Sequence, residues 1–224
     1  MIEQVLWYSG ASPELSPALE ESLEVDVLVV GGGMAGLSAA QWLSENTSLR
    51  LAVLEARFCG AGATGRSSGF ITPDSELELH QLARRFGDAD ARLLWTAATR
   101  AVEHIRHSIE RLDIACQRVD ADSLLVANSA GAVSAVRTEH EAHQRLGFAS
   151  RFYERGQIRE LLGTDHYHAA LRTFDTFSIN GYLYCQHLKR DLAARGVRIY
   201  ENTRVISAGP HELRTPRAVA RARQ

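Results

Sequence analysis

An α/β fold built around one dinucleotide-binding βαβ unit is predicted for this chain by three features that follow one another between residues 25 and 55. The first is the apolar run of Val25 and residues 27–30, which has the make-up of a strand buried on both faces. The second is the turn Gly31-Gly32-Gly33-Met34-Ala35-Gly36, in which Gly31, Gly33 and Gly36 hold the G-x-G-x-x-G positions. A helical pattern follows at once, with Leu37, Ala40 and Leu43 on one side. The third is a second strand, residues 49–55 (LRLAVLE), ending in an acid about twenty residues past the turn.

Each part of that unit has a physical task. Gly31 permits the tight turn, Gly33 lets a pyrophosphate approach the backbone, and Gly36 lets helix and strand pack closely. The first turn of the helix presents free N–H groups and its positive dipole end to the phosphates. Glu55 stands where an adenosine ribose hydroxyl is held, and an acid at that position argues against a ribose 2′-phosphate. FAD and NAD(H) both remain open on the turn alone.

A second run of small residues follows. After Ala56-Arg57-Phe58-Cys59 comes Gly60-Ala61-Gly62-Ala63-Thr64-Gly65-Arg66-Ser67-Ser68-Gly69-Phe70. Such a loop leaves room for something large and flat, and supplies backbone N–H groups, hydroxyls and one fixed cation. An NAD-binding fold passes directly into its next strand–helix unit and has no use for it. Trp7-Tyr8, VVGGGMAGLSAA at 29–40, VLEA at 53–56, GAGATGRSSGF at 60–70 and GVRIYENTRV at 196–205 together carry a resemblance. The chain resembles the FAD-dependent amine and amino-acid oxidoreductases of the D-amino-acid oxidase and glycine oxidase superfamily, and within it the γ-glutamylputrescine oxidoreductase type. The likeness runs from about residue 7 to the C-terminus.

The resemblance implies FAD as cofactor and a glutathione-reductase-type, Rossmann-like FAD-binding domain over residues 1–87 and 175–224. A mixed α+β substrate subdomain, residues 88–174, is inserted between them. It implies cofactor contacts from Gly31, Gly33, Met34, Ala35, Gly36, Glu55, Ala56, Arg57, Gly62, Ala63, Thr64, Arg66, Ser67, Ser68 and Gly69. The backbone of Val205 is expected to meet the adenine. The implied reaction takes a hydride to the flavin from the carbon bearing an amine in an amine or amino acid. Arg66 is a candidate for the charge near the flavin N1 and C2 carbonyl, or for a phosphate; tying its own loop to a helix end is an equal alternative. Where relatives usually read Arg-Asn-Gly-Gly, this chain has Arg66-Ser67-Ser68-Gly69, a departure beside the flavin ring.

Composition sets outer bounds. Apolar residues make up 45%, enough for a core, and a net charge of −2 leaves no footprint for nucleic acid or an anionic membrane. Lys189 is the only lysine, so arginine supplies the rest of the positive charge, a pattern that coding bias explains. Cys59, Cys116 and Cys185 are too widely spaced for a metal site and too few for a disulfide framework, as in a reducing compartment. The N-terminus has no basic-then-apolar leader, and no apolar run approaches the roughly 18 residues of a membrane span. A soluble, cytoplasmic protein is expected.

In chain order, residues 1–24 are a polar lead-in with Ser12-Pro13 and Ser16-Pro17, anchored by Trp7 and Tyr8. A helical stripe over 74–86 uses Leu79, Leu82, Ala83 and Phe86 and is closed by Gly87. Asp88 caps a longer helix whose expected face is Leu94, Ala97, Ala98, Ala101, Ile105, Ile109 and Leu112, with His104 and His107 beside it as surface residues. Residues 116–119 and 123–127 read as strands joined by the turn Asp120-Ala121-Asp122. A helix from Ser129 as cap to Gly147 places Val133, Val136, His140 and His143 on one face, the histidines at its edge. Strands at 148–153 and 169–174 flank a short helix at 157–162, and His166 and His168 are expected to be exposed. Cys185, Leu188 and Leu192 mark a helix ended by Gly196, followed by a parallel-type strand at 197–200. Tyr182 and Tyr184 lie where relatives pass the flavin; packed loop aromatics are the plainer reading.

The tail, 211–215 and 218–223, reads as a polar hairpin around Pro216. In relatives such a hairpin runs into an apolar strand that returns to the main sheet. The chain is therefore expected to be C-terminally incomplete, lacking part of the substrate sheet and the turn that closes over the flavin. Two further readings follow: a catalytically inactive truncated fragment, or a nucleotide-binding subunit that needs a partner half. No Ser-His-Asp, paired-carboxylate or metal spacing stands out, so no catalytic acid, base or metal ligand is assigned.

Overall fold

The computed structural model describes residues 5–9, 14–73, 76–174 and 176–224. Ser12-Pro13, Asp74 at the head of the expected helical stripe, and residue 175 at the expected domain boundary lie outside the described residues. From the N-terminus, β1 (Leu23–Glu24) and β2 (Val27–Val30) lead into α1 (Met34–Asn46) and β3 (Leu51–Leu54). Next come β4 (Phe70–Ile71), α2 (Leu79–Phe86), α3 (Asp88–Arg111), β5 (Val119–Asp120) and β6 (Ser123–Ala127). α4 (Val133–Leu146), β7 (Ser150–Glu154), α5 (Arg155–Leu162), β8 (Ala169–Thr173) and β9 (Phe177–Ser178) follow. The chain closes with α6 (Gly181–Ala194), β10 (Arg198–Tyr200), β11 (Ser207–Ala208), β12 (Glu212–Arg214) and β13 (Val219–Arg221). Among the described residues no helix is long and apolar enough to cross a membrane.

Two compact units divide the chain. The first comprises Met1–Gly69, Ile109–Arg118 and Ile179–Gln224; the second comprises Phe70–Ser108 and Val119–Ser178. Residues 70–87 thus group with the second unit rather than with the N-terminal βαβ, because Leu79, Leu82 and Ala83 of α2 bury their side chains with Ala142 and Leu146 of α4.

In the first unit, β3 is the centre of a parallel sheet, flanked by β10 and β2, with Val29 opposite Val53 and Ile199 opposite Val53. All four residues of β3 are buried. The expected burial of β2 on both faces does not hold: its residues are half-buried, and Val30 is 58% exposed. β2 is the outer strand of this sheet, and on its free side the Leu28 N–H donates to the Gln224 carbonyl at 2.9 Å. α1 packs on β3 and α6, with Leu37 and Ala40 buried. The tail hairpin forms as β12 and β13, with β1 added in parallel, and Leu19, Leu23, Val25, Leu54 and Ala220 share its core.

Glu201, just past β10, is fully buried and joins four distant segments. Its Oε1 accepts the Cys59 N–H at 2.6 Å, and its Oε2 accepts the Ser16 N–H at 2.6 Å and Lys189 Nζ at 2.9 Å. Lys189, itself buried on α6, also donates to the Glu14 carbonyl. The single lysine is therefore buried and ion-paired.

In the second unit, β4-β9-β5 and β6-β8-β7 are separate antiparallel sheets, so the turn Asp120-Ala121-Asp122 carries the chain from one to the other. α4 covers one face of β6 and β8 through Val136 against Ala127, Ala169 and Leu171; Ile158 of α5 covers Ala170 on the other. Two expectations need correction. The buried row of α3 is Ala91, Trp95, Val102 and Ile109, while Leu94 is 50% exposed. Trp95 offers the largest apolar surface on that helix, and its packing with Leu146 rotates the row. Ser129 makes no side-chain cap; a 3₁₀ turn, Ala130–Ala132, starts α4 instead, and Gly147 ends it in the left-handed region at φ +81°.

Glu139 is the polar centre of this unit. It is 1% exposed, and its oxygens accept the Leu79 and His80 N–H groups at 2.8 Å each, with His80 Nδ1 at 2.7 Å and His143 Nε2 at 3.1 Å. It thereby serves as the acceptor for the unsatisfied N-terminus of α2. His143 is buried rather than at the edge of its face; His104, His107 and His166 are exposed.

Two outcomes follow. Glu201→Gln leaves the buried Lys189 ammonium without its counter-charge, so it should cost about 3–5 kcal/mol in urea unfolding. Lys189→Met should cost less, since the carboxylate keeps two N–H donors; equal losses would show that the pair is not what holds these segments. For Glu139, burial pushes the carboxyl up, but the hydrogen bonds from His143, His80 and Leu79 outweigh it and hold it at about 2, against 4.5 when unfolded. Its contribution is complete above about 4.5 and lost as pH falls toward 2. Protection of the Leu79 and His80 amides, measured against their intrinsic exchange rates, should therefore fall within that window in wild type, and Glu139→Gln should abolish the step.

Candidate functional site

The glycine turn after β2 and the loop at 60–69 form one surface. Gly31 sits at φ +106°, a conformation side chains rarely adopt, and its N–H donates to the Leu54 carbonyl at 2.8 Å. A Cβ at Gly36 would stand 2.0 Å from the Gly31 carbonyl oxygen, so only glycine lets the helix come this close to the turn. A Cβ at Gly33 would stand 3.3 Å from Thr64 Oγ1. Thr64 is what joins the loop to the helix: its Oγ1 accepts the Met34 N–H at 3.1 Å. Gly33 itself caps α1 without a side chain, leaving the first-turn N–H groups of Ala35 and Gly36 beside that hydroxyl.

Glu55, one residue beyond β3, is half-buried. Its Oε2 accepts the Gly32 N–H at 2.7 Å and its Oε1 accepts the Arg57 N–H at 2.8 Å. An ionised carboxylate offers about four acceptor positions, so two remain. Gly60 N–H closes the arrangement on the Gly32 carbonyl at 2.8 Å. Ala56, Arg57, Gly62, Ala63, Arg66, Ser67 and Ser68 are exposed, whereas Gly69 is buried. Arg66 Nε donates to the Ala61 carbonyl at 2.9 Å, so one side of the guanidinium braces its own loop and fixes where the charge stands. Val205 packs half-buried on the tail sheet, and the preceding Thr203 N–H donates to the Glu55 carbonyl at 2.8 Å.

Several supports were not read from the sequence. The 3₁₀ turn Leu6–Tyr8 lies on the loop: Trp7 Nε1 donates to the Ser67 carbonyl at 2.6 Å and the Tyr8 hydroxyl to the Ala61 carbonyl at 3.2 Å. Tyr182 and Tyr184 are core residues, 1% and 0% exposed, and Tyr182 meets Tyr8 edge-on at 4.9 Å. Asn180 caps α6 by accepting the Leu183 N–H, and Gln186 holds the Cys59 carbonyl at 2.7 Å. The three cysteines are free and buried. Burial pushes all three thiols up, Cys185 to about 12, so none is a ready nucleophile. Among the described residues no group of acids, histidines and cysteines could hold a metal ion.

The second unit holds a cavity of about 460 Å³ between α3, α4 and the β6–β8 sheet, walled by Trp95, Leu125, Leu171 and Phe177 and bordered by Glu78, Asp122, Glu139 and His143.

Residues 26–222 match the family described as FAD dependent oxidoreductase (DAO). The chain is 29% identical over 203 residues to a putative Rieske 2Fe-2S iron-sulfur protein of Bacillus subtilis, covering 89% of this chain and 38% of that protein. It is 30% identical to the γ-glutamylputrescine oxidoreductase of Escherichia coli, over 74% of this chain and 39% of that one. The fold is that of glycine oxidase from Geobacillus kaustophilus, with a TM-score of 0.69 at 20% identity over 90% of this chain and 54% of the other. The chain thus spans about half, or less, of the length of the proteins it matches.

Proposed function

The chain belongs to the family of FAD-dependent oxidoreductases, and from that premise we propose that its first unit holds the ADP part of FAD for the oxidation of an amine or amino acid at the carbon bearing nitrogen. The observation that supports this best is the junction at Thr64, where the small-residue loop meets the N-terminus of α1. Because Thr64 Oγ1 accepts from Met34, its own hydrogen is left for a phosphate oxygen. The N–H groups of Ala35 and Gly36 and the dipole of α1 point the same preference at an anion. The absence of a side chain at Gly33 and Gly62 keeps the approach open; a Cβ at Gly62 would meet nothing within 4 Å.

Glu55 suits a ribose: two backbone N–H groups hold it in place and two acceptor positions remain for a diol. The residues after it, through Val205, take the adenine end, and Arg66 to Gly69 take the flavin end. When bound, FAD supplies the acceptor for a hydride from the carbon bearing nitrogen, and the imine so formed is hydrolysed by water. The second unit is the substrate side in this reading. No residue of the chain is assigned as acid or base.

Purified chain incubated with FAD and desalted should stay yellow and release FAD, with no nicotinamide nucleotide, on denaturation. Glu55→Ala should weaken FAD binding about tenfold or more, the worth of charge-assisted hydrogen bonds of about 1.5–3 kcal/mol, while keeping a native circular dichroism spectrum. Equal affinity in wild type and variant would remove Glu55 from the ribose site.

A further inference from the structure

Helix α3 carries two apolar rows, and the fold buries one of them. Ala91, Trp95, Val102 and Ile109 face the core. On the outer side Leu93 and Leu94 are 68% and 50% exposed, and Ala97 and Ala101 are exposed with them. Asp90 and His104, both exposed, stand at the two ends of this outer row. Asp88 is held by Arg145 at 2.9 Å, whereas neither Asp90 nor His104 makes an ion pair among the described residues. Positions 90, 93, 97, 101 and 104 follow one another by three, four, four and three residues, so they share one helix face and are symmetric about Ala97. At 1.5 Å per residue the row is about 21 Å long. Its contents are not symmetric: a leucine on one side of Ala97 answers an alanine on the other, and an acid answers an imidazole. Such a helix complements itself when run antiparallel. Ala97 then meets Ala97 at close approach, Leu93 meets Ala101, and Asp90 accepts from the His104 ring. Run parallel, the same row would set acid against acid and leucine against leucine.

We propose that the outer row of α3 is the contact surface for a second copy of this chain, the two helices lying antiparallel about a two-fold axis at Ala97. The order of residues is what selects a second copy. A two-fold pairs each position with the one equally far from Ala97 on the other side, and here each such pair is matched in size or in polarity. A seam about 21 Å long is small, so the association is reversible and the dimer fraction rises with concentration. None of the residues assigned to FAD takes part, so the dimer stands or falls independently of the flavin reading.

The test follows sedimentation velocity of the full 224-residue chain, with and without FAD, over a wide range of concentration. Wild type should pass from monomer to dimer. Ala97→Arg, which sets two cations against each other at the axis, should stay monomeric over the same range while keeping a native circular dichroism spectrum. Asp90→Lys and His104→Asp should each weaken the dimer severalfold, the first by removing the acceptor and the second by opposing two carboxylates. The double variant, which restores an opposite pair at each end, should associate at least as well as wild type. A wild-type chain that is monomeric at every concentration would overturn the proposal. So would a folded Ala97→Arg chain that dimerises as wild type does, or a double variant no better than either single one.

Discussion

The Glu201 carboxylate, taken fully out of water, is the constraint on which the first unit depends. Desolvating a carboxylate costs several kcal/mol unless the remaining partners are well placed. Here they are Lys189 from α6, Cys59 N–H from the loop after β3 and Ser16 N–H from the lead-in. The same residue donates its own N–H to the Pro17 carbonyl, and its carbonyl accepts the Thr203 hydroxyl. Neither the loop at Cys59 nor the lead-in at Ser16 has a helix or strand to hold it at that point. The acid thus substitutes for secondary structure where the small-residue loop must keep a defined path.

That path matters because the loop and the glycine turn touch at backbone distance. A Cβ at Gly32 would stand 2.6 Å from Cys59 Sγ, and one at Gly65 would stand 2.1 Å from the Gly60 carbonyl oxygen. Contacts this close do not tolerate a shift of an ångström. Loop position is consequently set from below by Glu201 and Gln186, and from outside by Trp7 and Tyr8. A surface that has to meet a ligand with backbone N–H groups gains its precision from these supports, since the small residues that form it have no side chains with which to hold themselves.

The βαβ unit was legible because its signals are local: an apolar run, three glycines and a terminal acid in fixed order. The ends of α2, α4 and α6 were legible for the same reason, since glycine at 87, 147 and 196 lies at each stop. What could not be read depends on which surfaces meet. The α3 row of Ala91, Trp95 and Val102 is chosen by the helices packed against it, and two neighbouring stripes fit a period of 3.6 equally well. Exposure of β2 follows from its place at the edge of its sheet, and apolar composition carries no information about neighbours. Lys189 had one available signal, its uniqueness in a chain rich in arginine, which points to a position where a compact ammonium suits and a guanidinium does not.

Three acids show how burial and partner count separate support from recognition. Glu201, at 0% exposure, and Glu139, at 1%, are each closed by three or four donors that come from the chain itself. An acceptor so fully engaged has nothing left for a ligand, and its loss is felt as instability. Glu55 is half-buried and carries two backbone donors, which fix its orientation and leave half of its capacity unused. The sequence offers glutamate in all three places, and only the last follows a β-strand that ends beside a glycine turn. A held carboxylate with spare acceptors at the mouth of such a turn is poised for a hydroxyl-bearing ligand. The other two are poised only to keep that turn, and the α2–α4 pair of the second unit, in place.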